Sequence, residues 1–352
     1  MRQMDKKEIF GMGLSELQSL FIDKGLKKYR ADQVFDWLYK KSVFTFSEMK
    51  NIARSDAELM NDNFTVLPAN VKILRRQQSA DGLTTKDLVE LTDGNTVETV
   101  SMKHDYGCSI CVSSQVGCNM GCAFCASGIG GFVRNLSPQE ILLQIALSNQ
   151  LLVPAGGRIS RIVVMGSGEP LLNLDAVLEA LTFAHREDAF NISCRNMTVS
   201  TCGIVPGIDA LAGKGIRLNL AISLHAANND LRSELMPVND TYALTEVIAA
   251  AERYARTSGR QVTYEYILIA GKNDSLTDAE LLANALRFKH ASVNLIPVNP
   301  VEEKGYRRPS TERIDAFLRF LQKRKINVTI RKEMGKDIDA ACGQLRSKAM
   351  KR

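Results

Sequence analysis

Gly117-Cys118-Asn119-Met120-Gly121-Cys122-Ala123-Phe124-Cys125 puts three thiols on one short loop, with spacing C-x3-C-x2-C and no fourth cysteine inside it. A structural zinc site takes four ligands, commonly from two C-x-x-C-like pairs. A [4Fe-4S] cluster is held by thiolates and normally also takes four. Three thiolates would bind three irons and leave the fourth open, so that a substrate or cofactor can bind the metal directly. Gly128, Gly130 and Gly131 follow, and glycines let a backbone pass close to such a cluster. The competing readings are a zinc ion completed by Cys111 or a histidine, and three unrelated buried thiols.

Outward from this loop the chain alternates strand and helix. Strand-like runs cover Ser109–Gln115, Arg161–Met165, Asn196–Ser200, Arg217–Leu224, Gln261–Leu268, Val293–Val298 and Asn327–Lys332. Helical stretches lie between them: Ser137-Pro138-Gln139-Glu140 opens one with a capping box and proline at the first helical position, and Thr277-Asp278-Ala279-Glu280 opens another. Repeated βα units predict a parallel sheet wholly or partly closed into a barrel. The unusual segments then fall after strand ends. The cysteine loop follows the first strand and Gly166-Ser167-Gly168-Glu169-Pro170 the second, while Ser200-Thr201-Cys202-Gly203 follows the third. Ser223-Leu224-His225 ends the fourth, Asn299-Pro300 follows the sixth, and residues 336–344 follow the last. In a βα barrel those ends form one rim, where active sites are built.

Before the barrel, residues 82–104 switch to period two, and Thr84–Leu91 and Thr96–Lys103 read as a β-hairpin around Asp93-Gly94. Glu98 shares a face with Val100 and Met102. A carboxylate buried there would have a raised pKa and could hold or take a proton near neutral pH; at an exposed edge it would do neither. Residues 1–75 read as a separate helical module (Leu14–Lys24, Ala31–Lys41, Phe46–Asn51) with Lys24, Lys27, Lys28 and Arg30 between its first two helices and Lys40 and Lys41 ending the second. Such basic turns could grip a phosphate backbone or be plain solvated surface. The expected division is an accessory module over 1–75, a hairpin connector over 76–104, a barrel over 105–335, and a loop and tail over 336–352.

At 352 residues and 45% hydrophobic, the chain can bury a large core, about two domains' worth or one barrel with an extension. Eight cysteines not spaced as a secreted disulfide framework, no apolar segment after the basic start, and no membrane-length apolar run point to a soluble, reducing, cytoplasmic setting without a membrane partner. The net charge is +6, and residues 323–352 alone hold ten Lys or Arg against three acids. A local basic surface is what a polyanion such as RNA requires, although a frayed solvated tail has the same composition.

On the rim, Gly166-x-Gly168-Glu169 is a glycine turn ending in an acid, suited to a cationic group. Ser200 and Ser223 offer hydroxyls to a carboxylate or ribose, His225 can donate or accept, and Asn299 can read an adenine edge with its amide. Cys111 alternates with Ser113 and Gln115, so it faces a polar side, and Cys342 lies in Asp337-Ile338-Asp339-Ala340-Ala341-Cys342-Gly343-Gln344, a short loop. Nothing in spacing alone marks either as a nucleophile. Cys108, Cys194 and Cys202 read as inert thiols.

The C-x3-C-x2-C loop followed by a glycine turn and acid resembles the radical S-adenosylmethionine (SAM) superfamily. Cys111-Val112-Ser113-Ser114-Gln115-Val116-Gly117-Cys118, Met165 to Pro170, Ser223 to Ala226, Asp337 to Leu345 and Tyr29-Arg30-Ala31-Asp32-Gln33-Val34-Phe35-Asp36-Trp37 together resemble, over nearly the whole chain, the RlmN/Cfr family of RNA adenine methyltransferases. The resemblance implies a partial (β/α)6-type radical SAM barrel with a helical N-terminal accessory domain and a hairpin connector. It implies a [4Fe-4S] cluster held by Cys118, Cys122 and Cys125, and a SAM site lined by Gly168, Glu169, Ser200, Ser223, Leu224, His225 and Asn299. Two SAM molecules would be used per turnover: one methylates Cys342, and the other yields a 5′-deoxyadenosyl radical that takes hydrogen from that methyl group. The resulting carbon adds to C2 of adenine in 23S rRNA or tRNA, Glu98 accepts a proton, and Cys111 forms a disulfide with Cys342 to release the product. A reductant such as flavodoxin or ferredoxin and a monomeric state are also implied. Ser167 and Cys202 depart from the family's usual methionine and serine. Pro170 and Ile296-Pro297-Val298-Asn299-Pro300 lean towards the C2 branch rather than the C8-methylating resistance enzymes. A reading of another class, a non-enzymatic metal-containing RNA-binding protein, keeps the basic segments but has no use for Cys342 or the Gly168-Glu169 turn.

Overall fold

A computed structural model of the chain describes residues 6–68, 70–299, 304–332, 334 and 337–338. The N-terminal module comprises strand β1 (Lys7–Glu8), helices α1 (Leu14–Asp23), α2 (Lys28–Tyr39) and α3 (Arg54–Asn63), and strand β2 (Phe64–Thr65), which pairs in parallel with β1. Helices α1 and α2 fall where hydrophobic spacing predicts them. Phe46–Asn51 forms only a single 3-10 turn over Phe46–Glu48, and α3 escaped the sequence reading because its buried face is just Ala57 and Met60. The module is not held apart from the rest. Phe35 and Tyr39 of α2 pack against Phe183, and Tyr39 also meets Phe190 edge-on.

Next come β3 (Lys72–Gln78), β4 (Thr84–Glu90), β5 (Thr96–His104) and β6 (Gly107–Val112), an antiparallel meander. The β4–β5 pair is the expected hairpin, with β3 added on its outer side. The barrel repeats follow: α4 (Pro138–Leu152), β9 (Ile159–Val164), α5 (Leu174–His185), β10 (Met197–Thr201), α6 (Val205–Gly213), β11 (Asn219–Ser223), α7 (Asn229–Leu235), α8 (Leu244–Ser258), β12 (Val262–Leu268), α9 (Leu276–Ala285), β13 (Ala291–Pro297), α10 (Thr311–Lys323) and β14 (Asn327–Ile330). Between β6 and α4 lies a small hairpin of β7 (Gln115–Gly117) and β8 (Phe132–Asn135). All ten long strands form one sheet in the order β14-β13-β12-β11-β10-β9-β6-β5-β4-β3, with every neighbour parallel from β6 to β14. Six helix-bearing crossovers thus join seven parallel strands in an open, partial barrel.

Local chemistry explains where the elements begin and break. Ser137 caps α4: its hydroxyl accepts from the Glu140 amide while the Glu140 carboxylate accepts from the Ser137 N–H. Helix α9 is capped by Ser275 with Asp278 rather than at Thr277, because the Ser275 hydroxyl lies three residues ahead of the Asp278 N–H. The first barrel strand stops at Val112 instead of running to Gln115: Gln144 of α4 takes both peptide groups of Ser113, accepting from its N–H at 2.8 Å and donating to its C=O at 3.0 Å. This break turns the chain out of the sheet, and the β7–β8 hairpin and its cysteine loop begin there.

Phe183 connects the module to the barrel, so truncating it leaves a void at that contact. Phe183→Ala is expected to cost about 3–5 kcal/mol of stability and to speed proteolytic cleavage within residues 6–68 more than cleavage in the barrel. Urea denaturation and limited proteolysis read by mass spectrometry check this.

Candidate active site

A cavity of about 480 Å³ opens at the C-terminal ends of the parallel strands. Its walls bring together residues separated by long stretches of chain: Cys111, Cys118, Cys122, Cys125, Gly168, Glu169, Ser200, Ser223, His225 and Asn299. All of these were singled out in the sequence. Cys342 lies outside the described residues. Leu224 does not reach the cavity. Its side chain is buried in the core, one residue past the end of β11.

The cysteine loop is an excursion between β7 and β8. Its neck is closed by Cys118 N–H donating to Gly131 O at 3.1 Å, and its far side rests on α7, where Ala123 N–H donates to Leu235 O at 2.9 Å. The neck requires glycine. Gly117 has φ +74°, and a Cβ there would lie 1.8 Å from the Gly131 carbonyl oxygen. Burial pushes the Cys122 thiol up to about 12, with the neighbouring Cys125 and Cys118 charges adding to the shift, and burial also raises Cys118.

The glycine turn is locked to the strand before the loop. Ser114 N–H and Gln115 N–H both donate to Ser167 O, Ser167 N–H donates to Ser113 Oγ at 2.9 Å, and Glu169 N–H donates to Gln115 Oε1 at 2.9 Å. A Cβ on Gly166 would meet Ser113 Oγ at 2.6 Å, and one on Gly168 would meet Gln115 Cβ at 2.5 Å. Glu169 is buried, which raises its carboxyl above the usual range against the pull of its donors. Those donors are Leu171 N–H on Oε1, Cys202 N–H on Oε2, and the side chains of Cys202 and Thr201. Cys202, read as an inert thiol, therefore lines the site and holds Glu169 through its backbone.

His225 has a left-handed backbone (φ +60°) and an edge-on contact with Phe124 at 4.7 Å. Its Nδ1 accepts from Ile267 N–H at 3.0 Å. A neutral imidazole that accepts at one nitrogen carries its proton on the other. Of the two roles left open by the sequence, Nε2 therefore takes that of donor. Complete burial, with Arg232 nearby, lowers the ring to about 3.

Glu98 is buried, not an exposed edge residue. It does not line the cavity directly. Its Oε1 lies 3.9 Å from Nζ of Lys86, which is itself fully buried, and its backbone carbonyl accepts from Ser113 Oγ at 2.8 Å. Lys86, Val100 and Cys111 form one row across β4, β5 and β6, so this ion pair flanks the wall that carries Cys111. Lys86 was missed because an isolated lysine in a polar-looking strand gives no sign of burial. Glu265 was missed too: it lines the cavity, accepts from Asn294 Nδ2 at 2.8 Å, and is raised by burial. Its position between Tyr264 and Tyr266 on a strand that alternates was the available signal.

Comparison with known proteins bears on this site. The Radical SAM superfamily model matches residues 112–283, and the model of the ribosomal RNA large subunit methyltransferase N-terminal domain matches residues 7–66. The crystal structure of a radical SAM methyltransferase from Sphaerobacter thermophilus superposes with a TM-score of 0.90 at 40% identity, covering 96% of this chain and 98% of that one. The fold and site therefore define a radical SAM enzyme. Proteins named "Probable dual-specificity RNA methyltransferase RlmN" from Staphylococcus carnosus and Staphylococcus aureus are each 44% identical over 344 residues, 98% of this chain and 94% of theirs. The chain belongs to the RlmN family.

Radical SAM enzymes of this family use a [4Fe-4S] cluster and SAM, and the cavity fits both. Among the described residues no three His, Cys, Asp or Glu side chains converge on a single metal ion. A cluster asks something different, since each thiolate binds its own iron and the three need only surround a common space. The hydroxyls of Ser127 and Thr84 line the same cavity, buried and, among the described residues, without a hydrogen-bond partner, as expected where a bound group completes the polar contacts.

The His225 ring gives a pH signature in the cofactor-free protein. Above pH 6.5 it is neutral whether folded or unfolded; between 6.5 and about 3 only the unfolded chain takes the proton, so its contribution to stability is lost as pH falls through that window. His225→Asn tolerates the left-handed backbone and keeps an acceptor. The wild-type chain is expected to lose on the order of 1.4 kcal/mol more per pH unit than this variant between pH 6 and 4.5, read from urea midpoints.

Proposed function

We propose that the protein methylates C2 of adenine in 23S rRNA and in tRNA, using a thiol of its own as methyl carrier. The observation that carries this reading is the convergence of Cys111 with Cys118, Cys122, Cys125 and the Gly168-Glu169 turn on one cavity. Cys118, Cys122 and Cys125 are the cluster ligands. Glu169 and the backbone of Gly168 receive the SAM amino group, Ser200 and Ser223 its carboxylate and ribose, and Asn299 its adenine. His225 donates through Nε2–H. When bound, the cluster supplies the electron that breaks the SAM sulfonium bond.

The chain's own residues do the rest. C2 of adenine is electron-poor, so direct transfer from SAM fails and a carbon held on a protein sulfur is required. Cys342 is that sulfur. Cys111 is the resolving thiol, closing a disulfide with Cys342, and Glu98 accepts the proton released from C2. The buried carboxylate flanking the Cys111 wall supports that role for Glu98. The division into module 1–75, connector 76–104, barrel 105–335 and loop 336–352 belongs to the same reading, as do the cytoplasmic setting, the monomeric state and reduction by flavodoxin or ferredoxin. Among the described residues no helix is long and apolar enough to cross a membrane.

Three variants test this. Cys122→Ala is expected to lose iron and all SAM cleavage. Cys342→Ala is expected to abolish methylation with no RNA trapped. Cys111→Ala is expected to acquire the methyl group and attack adenine, then stall with RNA joined through Cys342. A ribonuclease-sensitive band on a denaturing gel reads the difference; trapped RNA in Cys342→Ala, or none in a Cys111→Ala chain that carries methyl-cysteine, refutes the division of labour.

The basic segments contribute unequally. Arg30 is engaged with Asp56, and Lys40 and Lys41 with Asp36, whereas Lys24, Lys27 and Lys28 are exposed without an ion pair among the described residues. Arg324 pairs with Glu280, and Arg331 and Lys332 line the cavity. RNA affinity is expected to fall with salt, with a log-log slope of about −0.7 per phosphate contact, and the triple change of Lys24, Lys27 and Lys28 to Gln to flatten it while Lys40→Gln does not.

A further inference from the structure

Arg232 of α7 is fully buried, and the way it is satisfied is unusual for a charge. A guanidinium stays protonated in proteins, and a buried charge is costly unless a counter-charge meets it. Among the described residues Arg232 meets only neutral acceptors: Asn239 Oδ1 at 2.9 Å, Cys202 O at 2.6 Å and Tyr242 O at 3.5 Å. Among the described residues no carboxylate lies within ion-pair distance, and its Nε–H is buried with no partner at all. The titratable groups whose charge reaches it are Cys122 and Cys202 on the rim and the ring of His225.

The surrounding contacts set the helix of this charge against the cysteine loop. The loop docks on the last turn of α7, with Ala123 N–H on Leu235 O at 2.9 Å. A Cβ on Gly121 would meet Pro237 Cγ at 3.5 Å, so the next turn of chain also abuts the loop. On its other side Arg232 holds the Cys202 carbonyl, and the N–H of that same residue holds Glu169 Oε2 at 2.8 Å. The helix that carries Arg232 therefore supports the cysteine loop, and a single residue, Cys202, separates the guanidinium from the acid of the rim.

We propose that Arg232 is the built-in counter-charge of the cysteine-bound cluster, a positioning residue that raises the cluster's reduction potential. Thiolates on iron leave the cluster net negative, and the potential of an iron–sulfur cluster depends on the net charge and the hydrogen bonds around it. A fixed buried cation on the helix that supports the loop makes adding an electron easier. It also accounts for an arginine that would otherwise be left without an anion. This inference rests on the assignment of Cys118, Cys122 and Cys125 as the cluster ligands.

The experiment compares Arg232→Met, Arg232→Lys and Asn239→Ala with the wild-type full-length chain after anaerobic reconstitution. Iron per chain, circular dichroism of the apo form, and an EPR-monitored redox titration are measured. Arg232→Met is expected to disfavour reduction about tenfold, a shift of about 59 mV to more negative potential for one electron. Arg232→Lys should retain most of the wild-type value, and Asn239→Ala, which removes a hydrogen bond but no charge, should match wild type. An unchanged potential in a fully loaded Arg232→Met chain overturns the proposal. So does an equal shift in Asn239→Ala, which would make the effect one of packing. If Arg232→Met folds but cannot hold iron, retention of iron by Arg232→Lys supports the counter-charge and loss in both overturns it. A wild-type chain that binds no iron would instead overturn the ligand assignment.

Discussion

Gly166 and Gly168 have no room for a side chain, and the active-site rim depends on that. Because neither carries a Cβ, the turn after β9 can lie flat against Ser113 and Gln115, with two N–H groups converging on Ser167 O and the Gln115 side chain closing on the Glu169 amide. Ser113 Oγ accepts from Ser167 N–H while it donates to Glu98 O, so one hydroxyl ties the glycine turn to the hairpin before the barrel. The cysteine loop starts two residues beyond Gln115. Its position relative to Glu169 is thus set by short hydrogen bonds, not by loop flexibility, which suits a cofactor that must contact both.

The site concentrates buried charge. Glu169 and Glu265 are buried in the cavity wall, and Lys86, Glu98 and Arg232 are buried behind it. Each is handled differently: Lys86 and Glu98 by a pair, Glu169 by backbone and side-chain donors, Glu265 by an amide, and Arg232, among the described residues, by neutral acceptors. Burial of polar groups is destabilising unless they are compensated. The core of the barrel and module, with apolar residues from Ile9 to Val328, provides the hydrophobic stabilisation that offsets it. Strand β12 shows the arrangement: Tyr264 and Tyr266 are buried on its outer side, and Glu265 lines the cavity on its inner side.

Much of this was written locally in the chain. The C-x3-C-x2-C loop, the glycine turn, the capping box at Ser137 and the alternation of βα units depend on neighbours in sequence, so the order of elements, the cavity-facing cysteines other than Cys202 and most of the rim could be read before any coordinates. Adjacency in sequence also carried the hairpin around Asp93-Gly94, because its turn chemistry and its pairing are both local. What failed was of another kind. The early end of the first barrel strand is imposed by Gln144 from the next helix, and helix α3 is held by only two buried side chains.

Tertiary structure alone decided which charged groups are buried and what they face. Glu98 had two readings that period-two spacing cannot separate, because a strand face is apolar or exposed according to what packs on it. Lys86 and Arg232 resemble ordinary surface residues in sequence, and Cys202 an ordinary small core residue. Their roles come from the sheet register that aligns Lys86, Val100 and Cys111, and from the docking of the cysteine loop on α7. Residue type and spacing determine which chemistry a chain can perform; distances between groups remote in sequence determine how the energies of those groups are set, since electrostatic interactions depend on separation and local dielectric, which no single stretch of sequence contains.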